Sequence, residues 1–164
     1  MKPTVPCLLV LVAGIARAGS IDDAKSIKEG KAEFDKHVQD MNQKCGSKIA
    51  ATFDDKTTLP ALPEKTYKVG DPYYVCGWVL DGVAQLCSDP DAKAVLLKKV
   101  KSVKCSMREG VGEKMRKICN KASGHAATNC NQEYSVKGDT FSAVYDRNPA
   151  NVDTETTEWL KSNL

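Results

Sequence analysis

The sequence predicts an α+β fold: a small antiparallel sheet of about four strands, helices packed on one face, and disulfide bracing. Three observations carry this reading. Apolar residues recur at helical spacing in some segments and alternate in others. A Gly138-Asp139 pair separates two alternating runs, as in a β-hairpin. Six cysteines follow an apolar leader, an even number suited to cross-links in an exported chain.

The leader comes first. Lys2 precedes an apolar run from Val5 to Ala16, and Ala16-Arg17-Ala18 has the small-x-small form of a cleavage site. One cation, a short apolar stretch and small residues make a secretory signal peptide over 1–18. The run is shorter than the ~20 residues that span a bilayer. The remainder, 19–164, is expected to be one α+β domain, with 109–131 as an insertion. No transmembrane segment is expected in it, and the compartment is periplasmic or extracellular. The cysteines left are Cys45, Cys76, Cys87, Cys105, Cys119 and Cys130. Sequence alone does not choose among their pairings. Joining sequence neighbours gives Cys45–Cys76, Cys87–Cys105 and Cys119–Cys130.

Each element has its own local reason. Ser20 with Asp23 forms a capping box, and Phe34, Val38, Met41 and Cys45 form one helical stripe that Gly46 ends. Ile49, Ala51 and Phe53 alternate as a short strand, and a proline-rich loop follows to Pro72. From Tyr74 to Cys87, the residues Cys76, Leu80, Val83 and Cys87 share a stripe. Asp89 and Pro90 supply an N-cap and an N1 proline for a second helix to about Val100. Val103, Cys105 and Met107 alternate as a strand. Met115, Ile118, Cys119 and Ala122 suggest a short helix. Tyr134 and Val136 face Phe141, Ala143 and Tyr145 across the hairpin turn. A last helix follows Pro149 and Asn151, lined by Val152, Thr156, Trp159, Leu160 and Leu164.

Several chemistries lack a signature. No CxxC pair exists, so zinc is not expected, and no D-x-D-x-D-G run marks calcium. Gly110-Val111-Gly112 follows a strand but has neither nucleotide fingerprint. No cofactor is expected. The paired acids Asp22-Asp23 and Asp89 with Asp91 read as helix caps, which leaves Asp54-Asp55 without a structural role. His37 falls at the edge of a buried stripe, and His125 in a Ser123-Gly124-His125-Ala126 loop.

Charge is distributed unevenly. Lys93, Lys98, Lys99, Lys101, Lys104, Arg108, Lys114, Arg116, Lys117 and Lys121 face only Glu109 and Glu113. Such a segment attracts polyanions unless the acidic remainder of the chain meets it. Nucleic acid is disfavoured, because no aromatic interleaves with these cations to stack a base. Trp78 lies nearly opposite the Cys76/Leu80/Val83 stripe, a position for an exposed partner anchor unless the proline-rich loop covers it.

The order Cys45-Gly46 before a strand, a Cys76-Gly77 helix ending in Leu86-Cys87, a Cys105 strand, a hairpin, and a terminal helix from Asn151-Val152-Asp153 to Trp159-Leu160 resembles small exported cysteine-containing proteins of Gram-negative bacteria. It covers most of 19–164, except Glu109 to Asn131. The resemblance implies export and supplies no activity. The expectation is a non-enzymatic exported interaction domain, using the basic segment, whose partner is a polyanion or another envelope or secreted protein. The alternative is a small secreted hydrolase using His125 with a carboxylate such as Asp54 or Asp55.

Overall fold

The computed structural model describes residues 21–58, 71–108, 132–145 and 151–164. The expected signal peptide, the Ser20 cap, the short helix around Met115–Ala122 and the 109–131 insertion lie outside these residues, as do Cys119, Cys130 and His125.

Helix α1 (Ile21–Cys45) buries Phe34, Met41 and Cys45. It ends on Gly46 at φ 60°, which glycine adopts without a steric penalty. Gly46 N–H donates to the Gln43 carbonyl at 3.2 Å and Ser47 N–H to the Asn42 carbonyl at 3.1 Å, a Schellman closure. Strand β1 (Ala50–Phe53) follows, then a single helical turn α2 (Asp55–Thr58). Thr58 is fully buried and its hydroxyl accepts from Met107 N–H at 3.1 Å.

Helix α3 (Asp71–Leu86) is the centre of the molecule. Tyr73, Val75, Cys76, Val79, Leu80, Val83, Ala84 and Leu86 are all buried. Helix α4 (Pro90–Lys99) starts as its sequence requires, with the Asp89 carboxylate accepting from Asp91 and Ala92 N–H at 2.9 and 3.1 Å. Strand β2 (Ser102–Met107), the hairpin β3 (Gln132–Lys137) and β4 (Thr140–Tyr145), and helix α5 (Val152–Asn163) complete the chain.

The sheet order is β1-β2-β4-β3. The fold is α+β, but the sheet is mixed rather than antiparallel: β1–β2 and β2–β4 are parallel, and only the β3–β4 hairpin is antiparallel. The reason lies in the connection from Asp54 to Lys101. It carries helices and is long enough to return the chain in its original direction. One face of the sheet is buried through Val103, Cys105, Met107, Phe141, Ala143 and Tyr145. The alternate residues, such as Thr52 and Lys104, face outward and are exposed.

Helix α5 seals the hairpin end of this face. The Trp159 ring lies 5.5 Å from Tyr134 and 5.7 Å from Phe141 between centroids. Beneath it the Tyr145 hydroxyl donates to the Tyr134 hydroxyl at 3.1 Å and lies 3.2 Å from the Thr156 hydroxyl. Burial pushes both phenols above their usual range.

The cross-links differ from nearest-neighbour pairing. Cys45 bonds Cys87, and Cys76 bonds Cys105, with Cα separations of 5.0 and 5.8 Å. Cys76 within α3 and Cys87 just past its end lie three turns apart on one stripe, so they reach different elements. Cys87 meets the end of α1, while Cys76 sits over the inner face of β2. Closing loops of 42 and 29 residues stabilises by roughly 3–4 kcal/mol each in the chain-entropy account.

Two glycines of α3 set how closely its neighbours approach. A Cβ on Gly77 would lie 2.5 Å from the His37 ring, and one on Gly82 would lie 2.4 Å from the Asp153 backbone carbonyl. Substituting Gly82→Ala forces α5 outward, at about 1–3 kcal/mol. The gain in helix propensity returns at most about 1 kcal/mol. Urea denaturation of the oxidised protein is expected to show a net loss for G82A, with the midpoint lowered.

Candidate functional site

Helix α3 has four sides, and among the described residues three are occupied; the proline-rich stretch expected to cover Trp78 lies outside them over 59–70. The sheet lies beneath it, α1 along one flank and α5 along the other. The fourth side carries Tyr74, Trp78, Asp81 and Gln85, spaced four, three and four residues apart, which places them in one strip. Trp78 is 45% exposed and Tyr74 37% exposed. These are large aromatic surfaces on a helix that is otherwise almost entirely buried. The other tryptophan, Trp159, is packed against the hairpin.

The strip has built edges. On the α1 side, His37 Nδ1–H donates to Asp81 Oδ1 at 2.8 Å, and Nε2 lies 3.8 Å from Glu33. The imidazole is mostly buried, with its ring across Gly77, so it fixes the Asp81 carboxylate to α1. Lys36 lies 3.5 Å from Glu33 at the outer margin. On the α5 side, Gln85 Nε2–H donates to Asp153 at 3.1 Å. The Thr157 hydroxyl reaches the Gly82 carbonyl at 2.9 Å and Gln85 Oε1 at 3.2 Å. Trp78 and the helical setting of His37 were legible in the sequence. The His37–Asp81 bond was not, because nothing local to either residue reports a partner 44 positions away.

The basic segment is spread over several surfaces. Lys104 lies 3.6 Å from Asp54, and Arg108 3.3 Å from Glu133. Lys99 donates to the Leu164 carbonyl and Lys101 to that of Leu97. Lys98 is exposed on α4, and Lys93 packs near Gly46. Lys114, Arg116 and Lys117 lie outside the described residues. Surface pairs of this kind are worth only about 0–1 kcal/mol each; among the described residues Lys104 and Arg108 meet the chain's own acids, and the other cations lie on different elements. Heparin chromatography is expected to elute the oxidised protein at or below physiological ionic strength. Retention well above it would show a concentrated polyanion surface.

Asp54 and Asp55 have structural partners, contrary to the expectation that they lack a role. Asp55 lies 3.3 Å from Lys31 Nζ, and accepts from the Tyr73 hydroxyl at 3.2 Å. The ammonium sits over the Tyr73 ring, 5.7 Å from its centroid. The cluster joins α1, α2 and α3. The Lys31 ammonium holds the Asp55 carboxyl below its usual range, while the carboxylate raises Lys31. A carboxyl lowered on folding stabilises the protein above the ordinary carboxylate pKa, and that contribution is lost as pH falls through the lower folded value. D55N is expected to be less stable by under about 1 kcal/mol at neutral pH. Thermal melts should show the gap closing below pH ~4.

A further concavity of about 230 Å³ lies between α4 and α5, lined by Leu86, Ala92, Val95, Leu160 and Leu164 with Asp91 and Lys161 at its margin. Among the described residues no helix is long and apolar enough to cross a membrane, and no His, Cys, Asp and Glu group is arranged to hold a metal ion. Compared with protein-family models, curated proteins and solved structures, the chain matches none.

Proposed function

We propose that this chain is an exported, disulfide-braced, non-enzymatic binding domain that engages a protein partner through the exposed side of α3. The observation that carries the reading is the pair Tyr74 and Trp78, one turn apart and open on a helix whose other sides are packed. Tryptophan and tyrosine dominate the energetics of protein interfaces, because each buries a large rigid surface at little entropic cost. The disulfides support export, since such bonds persist in oxidising compartments. The resemblance to small exported proteins and the leader over 1–18 point the same way.

The hydrolase reading has less support. Asp54 and Asp55 are engaged with Lys104 and Lys31, in structural ion pairs. His125, the histidine of that reading, lies outside the described residues, and His37 has two carboxylates as its partners among the described residues, with no hydroxyl or thiol for it to activate. The binding reading needs no such constellation.

The test uses the mature oxidised chain, immobilised and exposed to the secreted or envelope fraction of its source. Wild type is expected to retain a defined protein, and Tyr74→Ala/Trp78→Ala to retain at least tenfold less while keeping its circular dichroism and melting temperature. Equal retention by the folded double variant overturns the proposal.

A further inference from the structure

We infer that the α3 strip receives an arginine-bearing segment of its protein partner, with the guanidinium stacked on Trp78 and its N–H groups turned to Asp81 and Glu33. This rests on the reading of α3 as a binding surface and adds the chemistry of what binds there. The charged groups bordering the strip are Glu33 and Asp81 on the α1 side, and Asp153 on the α5 side, with Lys36 at the margin. Asp40, three residues beyond His37 on α1, adds a further carboxylate on that flank, and Lys44, four residues further on, adds a cation at its far end. Acids therefore outnumber cations around two open aromatic rings.

That combination suits a guanidinium. The face of an indole attracts a cation lying within about 6 Å of its centroid. Asp81 is three residues from Trp78 on the same helix, so their side chains are neighbours. Arginine stacks on an aromatic plane while its N–H groups reach a carboxylate in the same plane, which an ammonium does less well. The His37 bond occupies one Asp81 oxygen at 2.8 Å and leaves the other outside that contact. It also holds the carboxylate in one place, so less ordering is lost on binding. The competing Lys36–Glu33 pair is exposed and gives way at a cost of about 0–1 kcal/mol.

The chain has two tryptophans, so Trp159→Phe leaves Trp78 as the sole indole reporter. The probes are an octapeptide alternating glycine and arginine and its glycine–glutamate counterpart, titrated against Trp78 emission at low and high salt. The arginine peptide is expected to change the emission saturably and the glutamate peptide to leave it unchanged. Asp81→Asn, which keeps an acceptor for His37, is expected to weaken the arginine peptide at least fivefold, and salt to weaken it further. Where Asp81→Asn lowers the melting temperature, Glu33→Gln serves in its place with the same expected direction. An equal response to both peptides, no response to either, or affinity indifferent to both neutralising substitutions overturns the arginine assignment. Retention of a natural partner that depends on Trp78 then leaves the binding reading standing. Loss of that dependence removes both.

Discussion

The structure depends on the burial of one helix. Helix α3 runs through the middle of the domain and must satisfy the sheet, α1 and α5 at once. Its apolar side chains meet the sheet, while its two close-approach glycines admit a neighbour on either flank. His37 presses on Gly77 and the Asp153 backbone on Gly82, each closer than a Cβ would allow. Interiors packed at this density tolerate little added volume. The positions of α1 and α5, and with them the borders of the exposed strip, therefore follow from two missing methyl groups.

The disulfides reinforce the same helix. Cys45–Cys87 ties its C-terminal end to α1, and Cys76–Cys105 ties its middle to β2. All four cysteines are buried, where reductants have poor access. Cys76–Cys105 holds the middle of α3 against the inner face of β2, the strand that pairs with both β1 and β4.

Local chemistry made most of the elements legible. The Phe34/Met41/Cys45 stripe, the Asp89-Pro90 start and the Gly138-Asp139 hairpin each encode their conformation in adjacent residues. The direction of β2 and the cysteine partners were not legible, because they depend on which way a connection crosses the sheet. Nearest-neighbour pairing treated Cys76 and Cys87 as serving the elements beside them in sequence, whereas their common stripe sends them to different ones. Of the strip, Trp78 could be found, since its angle from the buried stripe is a property of one helix. The His37–Asp81 and Gln85–Asp153 bonds that frame it join helices distant in sequence, and no local pattern reports them. Asp54-Asp55 misled for the same reason: Lys104 and Lys31 are neighbours only in space.

An exposed indole on a buried helix has a cost that invites explanation. Leaving nearly half of Trp78 in water gives up on the order of 100 Å² of apolar burial, or roughly 2–3 kcal/mol. The site could hold a polar residue instead: Gln85 occupies the same side of α3 and bonds to Asp153. Scattered apolar residues on a surface need no special account. Here, however, two aromatics stand one turn apart, with the Asp81 carboxylate fixed at one edge by a mostly buried imidazole. Rigid apolar surface beside immobilised charge is poor solvent-facing design and good recognition design, because the ordering that binding requires has already been carried out by folding.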